Sequence, residues 1–202
     1  MALLQIFIIF IIPVVLLYFE IIPIKFRRWL LWILVLVVTA IVISEGWTLK
    51  QLGIRIDNFK MLIRPYALFT LAGLVVVLFT AKFLGRKKAE RPWTHTYFRN
   101  LKFIPISVFQ EFGYRGFLMP QLESLFLSPI LVVGINAFLF AFVHIIYPKP
   151  LFQMTLGFMG GLGFAAMYYF YPNLILISLA HIILNVFAVV YSLAGSLLPK
   201  YR

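Results

Sequence analysis

The chain has 202 residues, of which 63% are hydrophobic, 18% aromatic and 12% charged, and its formal net charge is +12. Apolar runs of about twenty residues recur, and each is long enough to cross a bilayer as a helix. This composition excludes an ordinary soluble domain. It predicts a single integral-membrane domain over residues 1–202, of the all-α class and built as a polytopic helical bundle.

About seven transmembrane helices are predicted. In chain order they cover approximately residues 3–22, 29–44, 63–84, 98–119, 128–147, 151–171 and 173–193. Pro13 should kink the first of them, and a short interfacial helix that ends at Gly53 should precede the third. The sixth contains Gly157, Gly160, Gly161 and Gly163, small residues that let neighbouring helices approach closely.

The basic residues are concentrated in alternate connections. They lie in residues 25–28, in residues 82–102, at Lys149 and near the C-terminus at Lys200 and Arg202. By the positive-inside rule these segments are cytoplasmic, which predicts that the N-terminus lies outside and the C-terminus inside. The charge therefore indicates a lipid bilayer as a partner and no nucleic acid. The first apolar run lacks a preceding basic segment and a cleavage site, so we expect a retained span.

A polar patch interrupts the fourth predicted span. Residues 109–116 contain Gln110, Glu111 and Arg115, although the chain has only six carboxylates in all. Ionisable groups are costly inside a membrane, so such a patch is by default a functional-site hypothesis. The alternative is a local ion pair in which Glu111 and Arg115 neutralise each other.

Two further polar pairs occur at helical spacing, Phe140/His144 in the fifth span and His181/Asn185 in the seventh. Residues four apart lie on one face of a helix. Taken alone, His144 is compatible with an interfacial histidine, and His181/Asn185 with interhelical hydrogen bonding. Lipid offers no partners to polar stripes, however, so we predict that they meet in one polar site between spans four, five and seven.

These side chains suit hydrolysis by an activated water molecule. A carboxylate can act as a general base, histidines can position a water, and an asparagine amide can donate to an oxyanion. A zinc ion held by Glu111, His144 and His181 is chemically allowed, but no His-Glu-x-x-His spacing is present, and we expect no cofactor. Because the chain has no cysteine, it has no disulfide, thiol nucleophile or Cys-ligated metal.

The motifs resemble those of the CPBP family, the CAAX-protease and bacteriocin-processing (Abi) intramembrane proteases. That family carries Glu-Glu-x-x-x-Arg, Phe-x-x-x-His and His-x-x-x-Asn/Asp, in that order, on separate membrane helices. The corresponding residues here are 110–115, 140–144 and 181–185, within a similar region of about residues 98–193. The resemblance implies a glutamic endopeptidase of a bacterial or archaeal plasma membrane. Its substrate would be a peptide or membrane protein, cut near the C-terminus or behind a leader.

The resemblance also implies roles for the site residues. The first glutamate of the motif activates water, His144 and His181 position the water and the substrate carbonyl, and Asn185 assists the oxyanion. Glu111 and Arg115 would organise the site. This sequence departs from the pattern because Gln110 occupies the position of the first glutamate. A glutamine keeps the shape but cannot accept the proton, so this form is expected to be inactive.

Three explanations of Gln110 remain open at this point. Position 110 carries a deliberate Glu→Gln replacement, or the chain is a natural non-catalytic member, or Glu111 supplies the base. The third requires a rotation, since adjacent helical residues point about 100° apart. The alternative function is a non-catalytic membrane scaffold that holds a partner in the same site. A transporter is a further alternative, because polar groups at mid-membrane also mark ion paths.

Overall fold

A computed structural model of the chain describes residues 1–85, 103–191 and 193, and within them the backbone is helical with no β-strand. The predicted all-α class is therefore confirmed for this part of the chain. A cytoplasmic location is predicted for the basic residues between 86 and 102 and for Lys200 and Arg202. These residues lie outside the described part of the chain.

The described α-helices are α1 Ala2–Ile6, α2 Ile12–Tyr18, α3 Arg27–Ser44, α4 Phe59–Phe83, α5 Phe103–Glu111, α6 Met119–Leu125, α7 Pro129–Phe142, α8 Pro150–Phe170 and α9 Leu174–Val190. Two π-helical segments join neighbouring helices, Phe7–Ile11 between α1 and α2 and Phe112–Leu118 between α5 and α6. Short 3₁₀ segments, Ile24–Phe26 and Val143–Ile146, precede α3 and follow α7.

Among the described residues, four helices are long and apolar enough to cross a membrane: Ile24–Ser44, Phe59–Phe83, Pro129–Ile146 and Pro150–Phe170. Two shorter apolar helices, Ala2–Tyr18 and Leu174–Val190, accompany them. Large apolar side chains remain exposed along α3 and α4, among them Leu36, Val75 and Phe79. Such exposure is typical of helices that face lipid. The chain is an integral membrane protein, and the number of seven spans stays a prediction.

Helices α7 and α8 pack closely because α8 carries glycines at the contact. A Cβ atom on Gly161 would lie 3.1 Å from the Phe140 ring and 3.2 Å from the Ala137 backbone. One turn earlier, a Cβ atom on Gly157 would lie 2.9 Å from the His144 imidazole. The predicted packing role holds for these two residues. Gly160 has no neighbour within 4 Å of such an atom, so it does not contribute to the contact.

The connection between α3 and α4 folds over the start of α9 through a buried asparagine. Asn173 accepts a hydrogen bond from the Leu176 amide at 3.0 Å and so caps α9. Its own amide donates to the Arg55 carbonyl at 2.9 Å and to Asn58 Oδ1 at 2.7 Å. The Leu174 amide donates to the Gly53 carbonyl at 2.7 Å. These bonds fix the N-terminus of α9, and hence the helix that carries His181.

The prediction of an interfacial helix that ends at Gly53 is wrong: residues 49–53 form hydrogen-bonded turns instead. Gln51 Oε1 accepts from both the backbone amide and the hydroxyl of Thr48, at 2.7 and 2.8 Å. These bonds, with that from the Gln51 amide to Thr48 Oγ1, form a helix N-cap, but Gly53 ends the turn after one i→i+4 bond, from the Leu52 amide to the Thr48 carbonyl at 3.2 Å. Gly53 itself has a φ of +73°, which reverses the chain toward the bundle. Nearby, the Arg55 guanidinium hydrogen-bonds Asp57 and lowers the pKa of that carboxyl.

Candidate active site

The polar patch of residues 109–116 lies where α5 changes into a π-helix. Glu111 is the last residue of α5, and Arg115 is in the π segment that follows. Both side chains are fully buried, and Arg115 Nε lies 3.3 Å from Glu111 Oε2. π-Helical segments interrupt regular helices at functional sites more often than elsewhere. The local ion pair considered from the sequence is therefore present, at a backbone irregularity.

The groups around Arg115 compensate for only part of its removal from water, because its Nε and Nη1 have no hydrogen-bond partner among the described residues. Its Nη2 donates to the Gly161 carbonyl at 3.2 Å, and its guanidinium carbon lies 4.7 Å from the Phe140 ring centroid and 5.6 Å from that of Phe164. Aromatic faces attract cations most strongly where water is excluded. Helix α8 thus contributes to the site, although the sequence placed the site between spans four, five and seven.

The carboxylate of Glu111 also contacts the imidazole of His181. His181 Nδ1 and Glu111 Oε1 are 2.5 Å apart, which joins α5 to α9 across the bundle. Because a carboxylate accepts, Nδ1 carries the proton, and Nε2 of the neutral ring remains an acceptor. The imidazole stacks on Phe164 with centroids 4.7 Å apart and an interplanar angle of 30°. The ring is therefore held in one orientation by a carboxylate and an aromatic face.

A second polar contact joins the same two helices one turn away. Asn185 Nδ2 donates to Ser107 Oγ at 3.0 Å, and Ser107 is fully buried. Ser107 precedes Glu111 by four residues and Asn185 follows His181 by four, so the two contacts lie side by side on antiparallel helices. The sequence analysis missed Ser107, yet its spacing from Glu111 is the signal that could have identified it.

His144 lies apart from the Glu111–His181 contact. It belongs to the 3₁₀ segment after α7, is half-buried, and its Nδ1 donates to the Phe140 carbonyl at 3.0 Å. The Phe140 ring centroid is 5.5 Å from the His144 ring centroid and 5.9 Å from that of His181. The Phe-x-x-x-His motif thus brings an aromatic ring, rather than a second imidazole, against the Glu111–Arg115–His181 cluster.

Gln110 does not join this cluster. It is half-buried and lines a cavity between the α1–α2 run, α3 and α5, and no hydrogen bond of its side chain is found among the described residues. Glu111, which follows it, faces α9. Successive residues of a helix point about 100° apart, so the two positions have different surroundings.

A zinc site formed by Glu111, His144 and His181 is not assembled. In the part of the chain that the structure describes, no three His, Asp or Glu residues group together as metal ligands would. His144 instead bonds the backbone of its own helix. Phe164, which contacts His181 and Arg115, carried no signal in the sequence because aromatic residues are common throughout the chain, and Gly161 was predicted only as a packing residue.

Residues 92–187 match the family described as type II CAAX prenyl endopeptidase Rce1-like. The matched region is just under half of the chain and contains all three polar motifs. It overlaps most of the region assigned to the CPBP family from the motifs, so that resemblance is confirmed. No curated protein and no solved structure matches the chain.

Proposed function

We propose that the chain, whose residues 92–187 match the Rce1-like family, is an intramembrane endopeptidase of the CAAX type whose Glu111–His181 pair activates water. The observation that carries the proposal is the 2.5 Å contact between Glu111 Oε1 and His181 Nδ1. In this arrangement His181 Nε2 is the general base. Glu111 orients the ring and stabilises the imidazolium, as an acidic residue does in other carboxylate–histidine pairs.

This division of roles accounts for a peptidase that has no carboxylate at position 110. Gln110 cannot accept a proton, and Glu111 is fully buried with one oxygen at His181 and the other near Arg115. A carboxylate held in this way is well placed to orient and support a histidine. The pair therefore supplies a proton acceptor in a chain that lacks the first glutamate of the family motif.

The reaction follows from these roles. Water gives a proton to His181 Nε2 as its oxygen bonds to the scissile carbonyl carbon, and an Asn185 N–H stabilises the resulting oxyanion. The C–N bond then breaks, and the leaving amine takes the proton back from His181. Asn185 uses one N–H on Ser107 and retains the other for the substrate. Because Glu111 and Arg115 are fully buried, substrate entry requires the neighbouring side chains to shift.

A non-catalytic member that holds a partner is the second candidate. Gln110 and the complete burial of Glu111 favour it, because together they leave no solvent-accessible carboxylate at the motif. In that case the same cluster would be a structural core beside a binding surface for a peptide or a membrane-protein segment.

The two functions are separated by assaying five proteins in liposomes against peptides with free C-termini and single-span precursors with leader segments. We expect the unchanged chain to cleave, Glu111→Gln and His181→Ala to lose about 10²–10⁴-fold in rate, and Gln110→Glu to gain little. Thr70→Val serves as the control, because within the described part of the chain the Thr70 hydroxyl bonds only the Tyr66 carbonyl of its own helix.

Each other outcome has a definite meaning. If only Gln110→Glu cleaves, position 110 is the base and the His181 mechanism is wrong. If no variant cleaves while a membrane protein still co-purifies, the scaffold function replaces the peptidase. Activity that survives in His181→Ala would remove His181 from the reaction.

A further inference from the structure

A cavity of about 160 Å³ opens on the side of α5 that faces away from His181. Its walls are apolar side chains from three helices: Phe10 and Val14 from the α1–α2 run, Leu34 and Val38 from α3, and Phe109 from α5. A cavity of about 150 Å³ with such walls accommodates an apolar molecule the size of benzene. The cavity can therefore hold a short length of hydrocarbon chain.

The charged residues of this cavity are all of one sign. Arg27 and Arg28, the first residues of α3, line it, and among its described lining residues there is no carboxylate. Arg27 is half-buried, and its guanidinium carbon lies 5.7 Å from the Tyr147 ring centroid. Tyr147 thus keeps the Arg27 cation beside the cavity. An apolar slot with two cations beside it fits a molecule that has both a hydrocarbon chain and an anionic head.

We propose that this cavity binds an anionic phospholipid, with part of one acyl chain between the α1–α2 run and α3 and the phosphate at Arg27 and Arg28. Arginine pairs with phosphate through two parallel hydrogen bonds, which a hydrated lysine does not provide as well. Basic pockets between membrane helices are known places for anionic lipid headgroups. The cavity is separate from the Glu111–His181 pair, because neither of these residues lines it.

The geometry favours a lipid over other anions. A free phosphate would gain nothing from the apolar walls, and a zwitterionic lipid would carry a cation toward two arginines. A peptide C-terminus shares the negative charge but brings a polar backbone into a slot lined by Val14, Leu34 and Val38. Buried polar groups without partners are unfavourable there.

The test measures lipid binding to the full chain in detergent by native mass spectrometry. Phosphatidylglycerol and phosphatidylcholine with identical acyl chains are compared on the unchanged protein, on Arg27→Gln/Arg28→Gln, and on Val35→Phe, which narrows the cavity. The control is Lys25→Gln/Lys149→Asn, which removes the same charge from two residues that do not line the cavity. Asparagine suits position 149 because its φ is +57°.

We expect phosphatidylglycerol to bind more tightly than phosphatidylcholine, with a loss of roughly thirtyfold in the arginine variant and little change in the control. Val35→Phe should weaken phosphatidylglycerol binding with the arginines intact. Equal binding of the two lipids to the unchanged protein overturns the proposal, and so does an equal loss in the lysine control. Displacement of the lipid by a short peptide with a free C-terminus would assign the cavity to the substrate instead. The comparison on the unchanged protein and Val35→Phe decide the question if the arginine variant does not fold.

Discussion

Glu111 and His181 lie 2.5 Å apart on facing helices, and one turn away Ser107 and Asn185 repeat the connection at 3.0 Å. Helices α5 and α9 run antiparallel, so these two contacts together fix both their register and their rotation. A shift of one residue along either helix would separate both pairs and turn the polar groups toward apolar neighbours. The two contacts therefore position the site as well as forming part of it.

Replacing Ser107 by alanine should loosen the site without dismantling it. The substitution removes the acceptor of the Asn185 amide, and interhelical hydrogen bonds in membranes contribute about 0.6 kcal/mol on average. We expect the free energy of unfolding to fall by about that amount and any peptidase rate to fall by a larger factor, because Asn185 is no longer oriented. Unfolding in mixed micelles gives the first quantity, and the liposome assay gives the second.

Thr39→Val is the matched control for Ser107→Ala, since the only partner of the Thr39 hydroxyl among the residues that the structure describes is the Val35 carbonyl of its own helix. An equal effect of both variants on the rate would show that Ser107 has no positioning role.

Removing one charge from the buried Glu111–Arg115 pair should lower the free energy of unfolding more than removing both charges. Glu111→Gln leaves the Arg115 guanidinium fully buried with the Gly161 carbonyl and aromatic faces as its partners. Breaking a buried pair in this way typically destabilises by about 3–5 kcal/mol, whereas replacing both members by apolar groups can be nearly neutral. We expect Glu111→Gln/Arg115→Met to recover most of the loss in unfolding free energy. A double variant as unstable as the single one would contradict this.

The sequence predicted the helical class and the pairing of the first and third motifs because both depend on strong local signals. Long apolar runs leave few alternatives to helices in lipid, and Glu111 and His181 had few other polar partners. It did not predict that Gln110 and His144 would stay apart from that pair. Which side of α5 faces which helix depends on packing, and the π segment after Glu111 changes the rotation without any sign in the composition.

The turn at residues 49–53 shows a second limit of prediction from the sequence. Local propensity favoured a helix there, and Thr48 and Gln51 cap its start, but Gly53 ends it after one turn and the Gly53 carbonyl accepts from Leu174, a residue far along the chain. Such long-range contacts override local helix preference, and the spacing of residues in the sequence does not predict them.

Asn173→Ala should destabilise the end of the bundle that anchors α9. The variant loses the cap on Leu176 and leaves the Arg55 carbonyl and the Asn58 side chain without their donor. Loss of a cap costs about 1 kcal/mol, and each polar group left buried adds about 1–3 kcal/mol. With one cap and two such groups, we expect a fall of about 3–7 kcal/mol in the free energy of unfolding.

Hydrogen exchange provides the local check on Asn173→Ala. The amides of the first turn of α9 should exchange faster than those of α8, because the lost bonds lie at the start of α9. Asn173→Asp, which keeps the capping oxygen, should retain the Leu176 bond and lose the donated ones. Uniform acceleration over the whole chain would contradict a local role for Asn173.

Gly157→Ala and Gly160→Ala should have opposite effects although both are single-methyl changes in α8. At position 157 the new Cβ would lie 2.9 Å from His144 Nδ1, so the imidazole must move away from the Phe140 carbonyl that it now bonds. At position 160 no atom lies within 4 Å, and alanine is favoured over glycine inside a helix by about 1 kcal/mol. We therefore expect Gly157→Ala to lower and Gly160→Ala to raise the thermal stability, with the ¹⁵N resonances of His144 shifted only in Gly157→Ala.

If His144 contributes to substrate positioning, as the CPBP resemblance implies, the liposome assay should show a slower rate for Gly157→Ala and an unchanged rate for Gly160→Ala. Equal resonances and rates in both variants would show that the packing of His144 on α8 has no bearing on the site.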